Sequence, residues 1–195
     1  MRSEFPLGNS CNQLSLKSGG HFPLEKSATN HTRTVSNLIK YNITGGFNSG
    51  LKVYLDNGLL NHSKVKRNWF SPDVISIFDK DNSLIVEVRQ KSNLLKTKYQ
   101  ITYQNSGLIN HIENIEKNVI ELADGNQIQF KRNPTGVVSN PYSNIFYKNS
   151  EIGQLSNKKI ALKLEYTLSL EKEGLDLLPY ILIQILTTES NKDYD

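Results

Sequence analysis

The residues best suited to chemistry in this sequence are basic side chains concentrated between positions 64 and 98. This stretch holds eight Lys or Arg residues against four Asp or Glu residues, a local net charge of +4. Basic residues near a membrane surface attract anionic headgroups with about 1 kcal/mol each. The candidate lipid- or phosphate-binding residues are Lys64, Lys66, Arg67, Arg89, Lys91, Lys96 and Lys98. The alternative is a solvated set of lysines that protects strand edges.

Acidic residues and histidines offer weaker candidates for a metal site. Asp79 and Asp81 resemble the start of a calcium loop, but Leu84 and Gln90 stand where that loop needs glycine and glutamate. We therefore predict a hairpin turn there. No histidine has a partner at metal-ligand spacing, so all are predicted to be surface or turn residues. The histidines are His21, His31, His62 and His111.

Catalytic motifs are missing from the sequence. It contains no nucleophile elbow, phosphate loop, dinucleotide-binding fingerprint or zinc-protease motif. The single cysteine, Cys11, cannot form a disulfide within the chain. We therefore predict that the protein is not an enzyme, with no catalytic residue, no metal and no cofactor.

The elements that position the basic residues are predicted to be short β-strands joined by hairpins. Residues 160–170 alternate between apolar and polar side chains, the period of a half-buried strand. Similar runs follow one another from Leu51, with turn signals every 8 to 12 residues or so. Because no amphipathic helix separates the strands, a parallel α/β sheet is excluded. We predict ten to twelve strands. We assign Trp69, Phe70 and Tyr103 to the core of this sheet, with a stacking platform for bases or sugars as the alternative.

The segment from Leu175 to Thr188 is predicted to be a buried helix at about 175–188. It is apolar on nearly every side, which requires enclosure by protein or by a membrane. The run has roughly 14 residues, whereas a membrane-spanning helix needs about 20. A core helix is therefore favoured over a membrane-inserting tail. Asp176 is predicted to cap its N-terminus, and Tyr180 and Gln184 share a face that needs hydrogen-bond partners.

The domain organisation follows from composition. Residues 1–33 have little periodicity and are predicted to be a poorly ordered extension, whereas residues 34–190 form one domain. A net charge of +4 and a pI near 9.0 are too mildly basic for a nucleic-acid-binding protein. The N-terminus lacks the apolar core of a signal peptide, which favours a cytoplasmic protein.

Three stretches of the sequence resemble a known family. Residues 77–91 with Tyr99-Gln-Ile101, residues 145–156, and the ending at 175–186 resemble the repeated units and the final quarter of LURP-one-related and tubby C-terminal-like proteins. The resemblance implies a mainly β fold, a twelve-stranded antiparallel β-barrel around a central C-terminal hydrophobic helix, which phospholipid scramblases share. Ser83, where the family's turn often has glycine, departs from the pattern.

Together these observations leave three hypotheses for function. The first is a non-enzymatic, monomeric tubby/LURP-one-like domain that binds anionic phospholipid headgroups at the inner membrane face or acts as a scaffold. The second is a small-molecule-binding or carrier barrel, which requires an empty lumen and is favoured by a helix outside the barrel and a cavity of several hundred Å³. The third is an enzyme, which would need a cluster of acidic residues and histidines in a cleft.

Overall fold

The alternating segments form antiparallel strands that hydrogen-bond into one continuous sheet. The structure is a computed structural model that describes residues 38–46, 49–93, 96–134, 141–160 and 163–190. Within these ranges the strands are β1 (Ile39–Gly46), β2 (Gly50–Leu55), β3 (Gly58–Lys66), β4 (Asp73–Asp79), β5 (Leu84–Asn93), β6 (Lys96–Gln104), β7 (Ile112–Ile115), β8 (Val119–Leu122), β9 (Gln127–Arg132), β10 (Ser143–Tyr147), β11 (Ser150–Ile160) and β12 (Lys163–Leu170). The extension predicted for residues 1–33, including Cys11, His21 and His31, lies outside the described residues.

The order of the strands curls the sheet into a nearly closed barrel. From edge to edge the order is β6-β5-β4-β3-β2-β1-β12-β11-β10-β9-β8-β7. The first described strand, β1, pairs with the last, β12, and the two edge strands are β6 and β7. Most of the buried side chains of the strands are apolar and belong to a single hydrophobic core, whereas His62, Ser63 and Ser143 are buried polar residues. The predicted mainly β barrel of about twelve strands is therefore confirmed.

The apolar C-terminal segment fills the barrel. A 3₁₀ turn (Lys172–Leu177) leads into the helix α1 (Leu178–Glu189). Every residue from 180 to 190 is buried, and α1 contacts β2, β3, β4 and β8. The helix is thus surrounded by strands on several sides, which confirms the predicted enclosure.

The start of the helix differs from the prediction. Asp176 lies within the 3₁₀ turn, and the residue before α1 is Leu177, which makes no side-chain cap. Because the 3₁₀ turn runs directly into the helix, its own i to i+3 bonds replace a side-chain cap. Pro179 occupies the first turn of α1, where no intrahelical N–H is lost.

Two strands differ from the sequence-based assignment. β1 was not predicted, although Ile39, Tyr41 and Ile43 alternate with polar residues, because the glycines that follow suggested a loop. The strand predicted to begin at Ile160 begins at Lys163 instead, and Ile160 ends β11 and pairs with Lys163. Most of the predicted strand is therefore β12, and its first residue belongs to β11.

The edges of β6 and β7 meet without a strand ladder among the described residues, and one side chain bridges them. The Gln104 amide Nε2 donates to the Ile112 carbonyl at 2.7 Å, and the Ile112 N–H donates to Gln104 Oε1 at 2.8 Å. A single glutamine thus forms the two bonds that a strand residue would exchange with its partner. We call this contact the seam.

Two polar side chains of α1 strengthen the same region. Tyr180 Oη accepts from the Asn110 N–H at 2.7 Å and donates to the Asn110 carbonyl at 3.2 Å. One turn later, Gln184 Nε2 donates to the Glu116 carbonyl at 2.6 Å. The predicted need for partners is confirmed for Tyr180 and for Gln184 Nε2, whereas the buried Gln184 Oε1 has no hydrogen-bond partner among the described residues. Both partner residues flank β7.

Candidate functional site

The structure places Lys64 and Lys66 on the outer face of β3, Arg67 directly after that strand, and the other described basic residues on the outer faces of β5 and β6. Each described member is exposed, and we call the set the basic patch: Lys64, Lys66, Arg67, Arg89, Lys91 and Lys98. Lys96 is the first residue of β6, and its side chain lies outside the described part of the structure. The patch lies toward the end of the barrel where α1 terminates, which we call the C-terminal rim.

Strand register determines which of these charges are neighbours. Val74 pairs with Lys66 on one side and with Arg89 on the other, so these two bases flank one valine. Their Cα atoms are about 10 Å apart, twice the spacing between strands. As their spacing predicts, Arg89 and Lys91 share the outer face of β5.

Two lysines directly oppose each other on adjacent strands. Lys91 of β5 is the register partner of Lys98 of β6. Cβ atoms of such partners lie about 5 Å apart, and like charges in this position are destabilising. Within the described residues, neither lysine forms an ion pair. The arrangement leaves a local positive potential uncompensated.

Basic residues elsewhere do not extend the patch. Arg132 and Lys131 lie on β9, two strands beyond the seam, and both contact other groups. Arg132 points toward α1, and the Lys131 ammonium lies over the Phe146 ring at 4.3 Å. The side chains of Lys158 and Lys159 lie outside the described part of β11.

The loop between β3 and β4 carries two exposed aromatic residues beside the patch. Trp69 is 98% exposed and Phe70 is fully exposed. Tyr103 is 44% exposed on the outer face of β6. The assignment of these three aromatics to the core is therefore wrong. Trp69 and Phe70 belong to a turn between strands, where strand alternation no longer applies.

Polar bonds at the base of this loop hold its ends together. The Asn68 N–H donates to Asp73 Oδ1 at 2.9 Å, and Asn68 Nδ2 donates to the Pro72 carbonyl at 2.9 Å. Asn68 Nδ2 also reaches the Lys66 carbonyl at 3.5 Å. The loop therefore closes on itself below its tip and presents Trp69 and Phe70 to solvent.

A buried polar cluster sits inside the C-terminal rim. The Glu189 side chain is 3% exposed, and its Oε1 accepts from Arg132 Nη2 at 2.9 Å. Tyr166 Oη donates to Glu189 Oε2 at 2.8 Å. The carboxylate stands in the last turn of α1, where the helix dipole disfavours negative charge, so Arg132 and Tyr166 compensate for its position.

Two further tyrosines line this cluster. Burial raises the pKa of Tyr99 and of Tyr142 to about 12, and the nearby Glu189 carboxylate adds to the increase. Arg132 opposes it, and its guanidinium lies over the Tyr142 ring at 5.4 Å. The Glu189 carboxylate is buried and bound to two side chains, so its arrangement is that of a structural tether.

The acidic and histidine candidates have structural surroundings. Asp79 Oδ1 accepts from the N–H groups of Asp81 and Ser83, at 2.9 and 2.8 Å, as the predicted hairpin turn requires. His62 is buried in β3 and stacks on the Phe78 ring at 5.1 Å, which contradicts its assignment to the surface. Over the described residues, no group of three or more His, Cys, Asp or Glu side chains could hold a metal ion.

Two pockets open on the barrel. A polar groove of about 460 Å³ lies over β1, β2 and β12, between Asn42, Tyr54 and Glu165. An apolar pocket of about 430 Å³ opens at the opposite end from the C-terminal rim, where α1 begins. Its lining is mainly aliphatic and includes Leu60, Ile77, Ile85, Leu108, Leu178, Leu182 and Ile183, together with the polar residues Asn61, Asp79, Lys80 and Asn105.

Among the described residues, no helix has the length and apolar content that crossing a bilayer requires. Comparison of the chain with family models, with curated proteins and with solved structures found no match.

Proposed function

We propose that this chain is a non-enzymatic tubby/LURP-one-like domain that binds anionic phospholipid headgroups through the basic patch. The observation that carries the proposal is that Lys91 and Lys98 oppose each other beside Lys66 and Arg89, and that neither lysine forms an ion pair among the described residues. The domain would act as a peripheral protein at the cytoplasmic face of a membrane, with the barrel as its rigid support.

Edge protection does not account for all of these charges. A lysine protects an edge only on a strand that has an unpaired side. β3 and β5 are each hydrogen-bonded to neighbours on both sides. Arg89 pairs with Val74 on one side and Gln100 on the other, so it has no edge to protect. Lys66 and Lys91 are each paired on one side only, and Lys98 lies on the edge strand β6. An external anion is the more economical explanation for the concentration of charge.

The geometry suits phosphate groups. Lys91 and Lys98 converge from adjacent strands, and an anion between them would relieve their mutual repulsion. Lys66 and Arg89 offer a second position above Val74, where an ammonium and a guanidinium approach from opposite sides. A planar membrane presents many phosphates at once, so both positions can be occupied together.

Co-sedimentation with vesicles tests the proposal. We expect the protein to bind phosphatidylcholine vesicles that contain phosphatidylserine, and to bind pure phosphatidylcholine weakly. In Lys91→Gln/Lys98→Gln the loss of two basic residues removes about 2 kcal/mol, or roughly 30-fold in affinity. Binding should also weaken as salt is added, since exposed charges are screened.

A charge-matched control separates the patch from net charge. Lys80→Gln/Lys172→Gln removes two exposed lysines near the opposite end of the barrel, where α1 begins. This control should bind like the wild type. Equal, negligible sedimentation with both vesicle compositions would refute lipid binding, and equal losses in both double variants would refute the patch as its site.

The apolar pocket supports a second candidate function, the binding of a small apolar molecule. Its volume of about 430 Å³ falls in the range of ligand sites. Saturable binding of a fluorescent fatty acid, abolished by Leu108→Trp in the pocket lining, would support it. The exposed neighbour Ile109 gives the control Ile109→Trp, and loss of binding in that variant as well would count against the pocket.

A further inference from the structure

We infer that the loop formed by residues 67–72 inserts Trp69 and Phe70 into the membrane interface when the basic patch engages an anionic bilayer. This inference rests on the proposed function and adds an apolar anchor to it. It also assigns an orientation, with the C-terminal rim of the barrel facing the lipid.

The exposure of the two side chains is the first argument. Trp69 is the only tryptophan of the chain and is 98% exposed, whereas tryptophan is highly buried on average in folded proteins. Phe70, directly adjacent, is fully exposed. Two consecutive large aromatics at a loop tip form an apolar projection of the kind that membrane interfaces accept, because aromatic rings favour the headgroup level.

The surroundings of the loop are the second argument, and they favour a membrane over a protein groove. Lys66 and Arg67 immediately precede the aromatics, and Arg89 is separated from Lys66 only by Val74. Exposed apolar tips flanked by basic residues are the pattern of proteins that lie on anionic bilayers. An extended anionic surface satisfies all of these charges while the tip reaches below the headgroups.

The rigidity of the loop is the third argument. Asn68 ties the loop base to Asp73 and Pro72, so the tip is held outward before any binding occurs. A pre-organised anchor loses little conformational freedom when it inserts. A loop of this length without such bonds could instead fold its aromatics back onto the barrel.

Fluorescence of the single tryptophan reports insertion directly. We expect Trp69 of the full chain to emit as a solvent-exposed tryptophan in the free protein. On addition of vesicles of phosphatidylcholine and phosphatidylserine, its emission should move to shorter wavelength and be quenched by lipids brominated on their acyl chains. Emission that is already that of a buried indole in the free protein would overturn the inference, because another part of the chain would then cover the loop.

Binding and insertion are measured separately, so the two proposals fail in different ways. Co-sedimentation with unchanged Trp69 emission would overturn insertion and leave headgroup binding intact. Absence of co-sedimentation would overturn headgroup binding and, with it, the anchor. A blue shift that brominated lipid does not quench would also overturn the inference, because Trp69 would then be covered by protein and not by lipid.

Variants give an independent measure. Trp69→Ala/Phe70→Ala should lower vesicle affinity roughly tenfold or more, and the part of the binding that survives added salt should fall most. Ile109→Ala is the matched control, because Ile109 is 91% exposed in the β6–β7 loop at the other end of the barrel. Wild-type affinity in the double variant would overturn the anchor, provided that its thermal unfolding shows an intact fold.

Discussion

The seam between β6 and β7 makes a quantitative prediction about how the barrel is closed. Gln104 donates to and accepts from Ile112 through bonds of 2.7 and 2.8 Å. Gln104→Ala removes both, and it leaves the Ile112 N–H and carbonyl without these partners. Ile112 is buried, so water cannot easily replace the lost amide.

The expected magnitude follows from the number of bonds. A hydrogen bond contributes about 0.5–1.5 kcal/mol net, so two of them amount to about 1–3 kcal/mol of the free energy of unfolding. For a chain of this size each kcal/mol lowers the melting temperature by about 2–4 °C. A loss near 2 kcal/mol therefore lowers it by about 4–8 °C.

Two measurements check this prediction. Thermal unfolding gives the stability difference, and hydrogen exchange at the Ile112 amide shows whether the seam itself opens. The control is Gln100→Ala, which truncates an exposed glutamine on the outer face of the same strand. If both variants melt alike and the Ile112 amide stays equally protected, Gln104 does not close the barrel.

Three further predictions concern the buried polar groups. Arg132→Ala leaves the buried Glu189 carboxylate without its ion pair and should cost about 3 kcal/mol in urea unfolding, whereas Lys131→Ala, which loses only an exposed contact with a ring, should cost far less. Burial raises the pKa of Tyr99 and Tyr142 to about 12 in the folded state, so their contribution to stability is present below the ordinary tyrosine pKa near 10 and is lost as pH rises toward 12. The melting temperature should fall over that pH window, and it should fall less in Tyr142→Phe; a flat profile would contradict the prediction. Burial and, to a lesser extent, the charge of Lys64 lower the pKa of His62 in the folded state. Its contribution to stability is therefore present above the ordinary histidine pKa of about 6.5 and is lost as pH falls through the folded-state pKa. The decline in melting temperature below about pH 6.5 should be smaller in His62→Asn than in the wild type.

The barrel and its central helix could be predicted because their signals are local. Alternation identifies a strand from a few residues, and an apolar run of helical length identifies a segment that must be enclosed. The opposition of Lys91 and Lys98 is also local, since β5 and β6 follow one another along the chain and pair Asn93 with Lys96. These features depend on residues that are close together in the sequence, so the sequence alone is enough to predict them.

The exposed aromatics and the buried cluster could not be predicted in the same way. Trp69 and Phe70 follow a strand, and their residue types favour burial unless the turn bonds of Asn68 are known in advance. Arg132 and Glu189 are 57 residues apart, and their contact depends on the depth to which α1 enters the barrel. No local pattern encodes that depth, because it results from the packing of the entire sheet.

The buried polar residues of α1 specify a position that apolar packing alone leaves open. A helix that is apolar all round can rotate or slide in an apolar lumen at little cost in buried area, since hydrophobic burial is non-directional. Tyr180 and Gln184 bind backbone groups on either side of β7, and Glu189 binds Arg132 of β9. These contacts fix rotation and depth together, because each can form at only one setting of the helix. Replacing Gln184 by leucine should therefore preserve most of the stability but broaden the side-chain NMR signals of α1, whereas uniformly sharp signals would show that packing alone orients the helix.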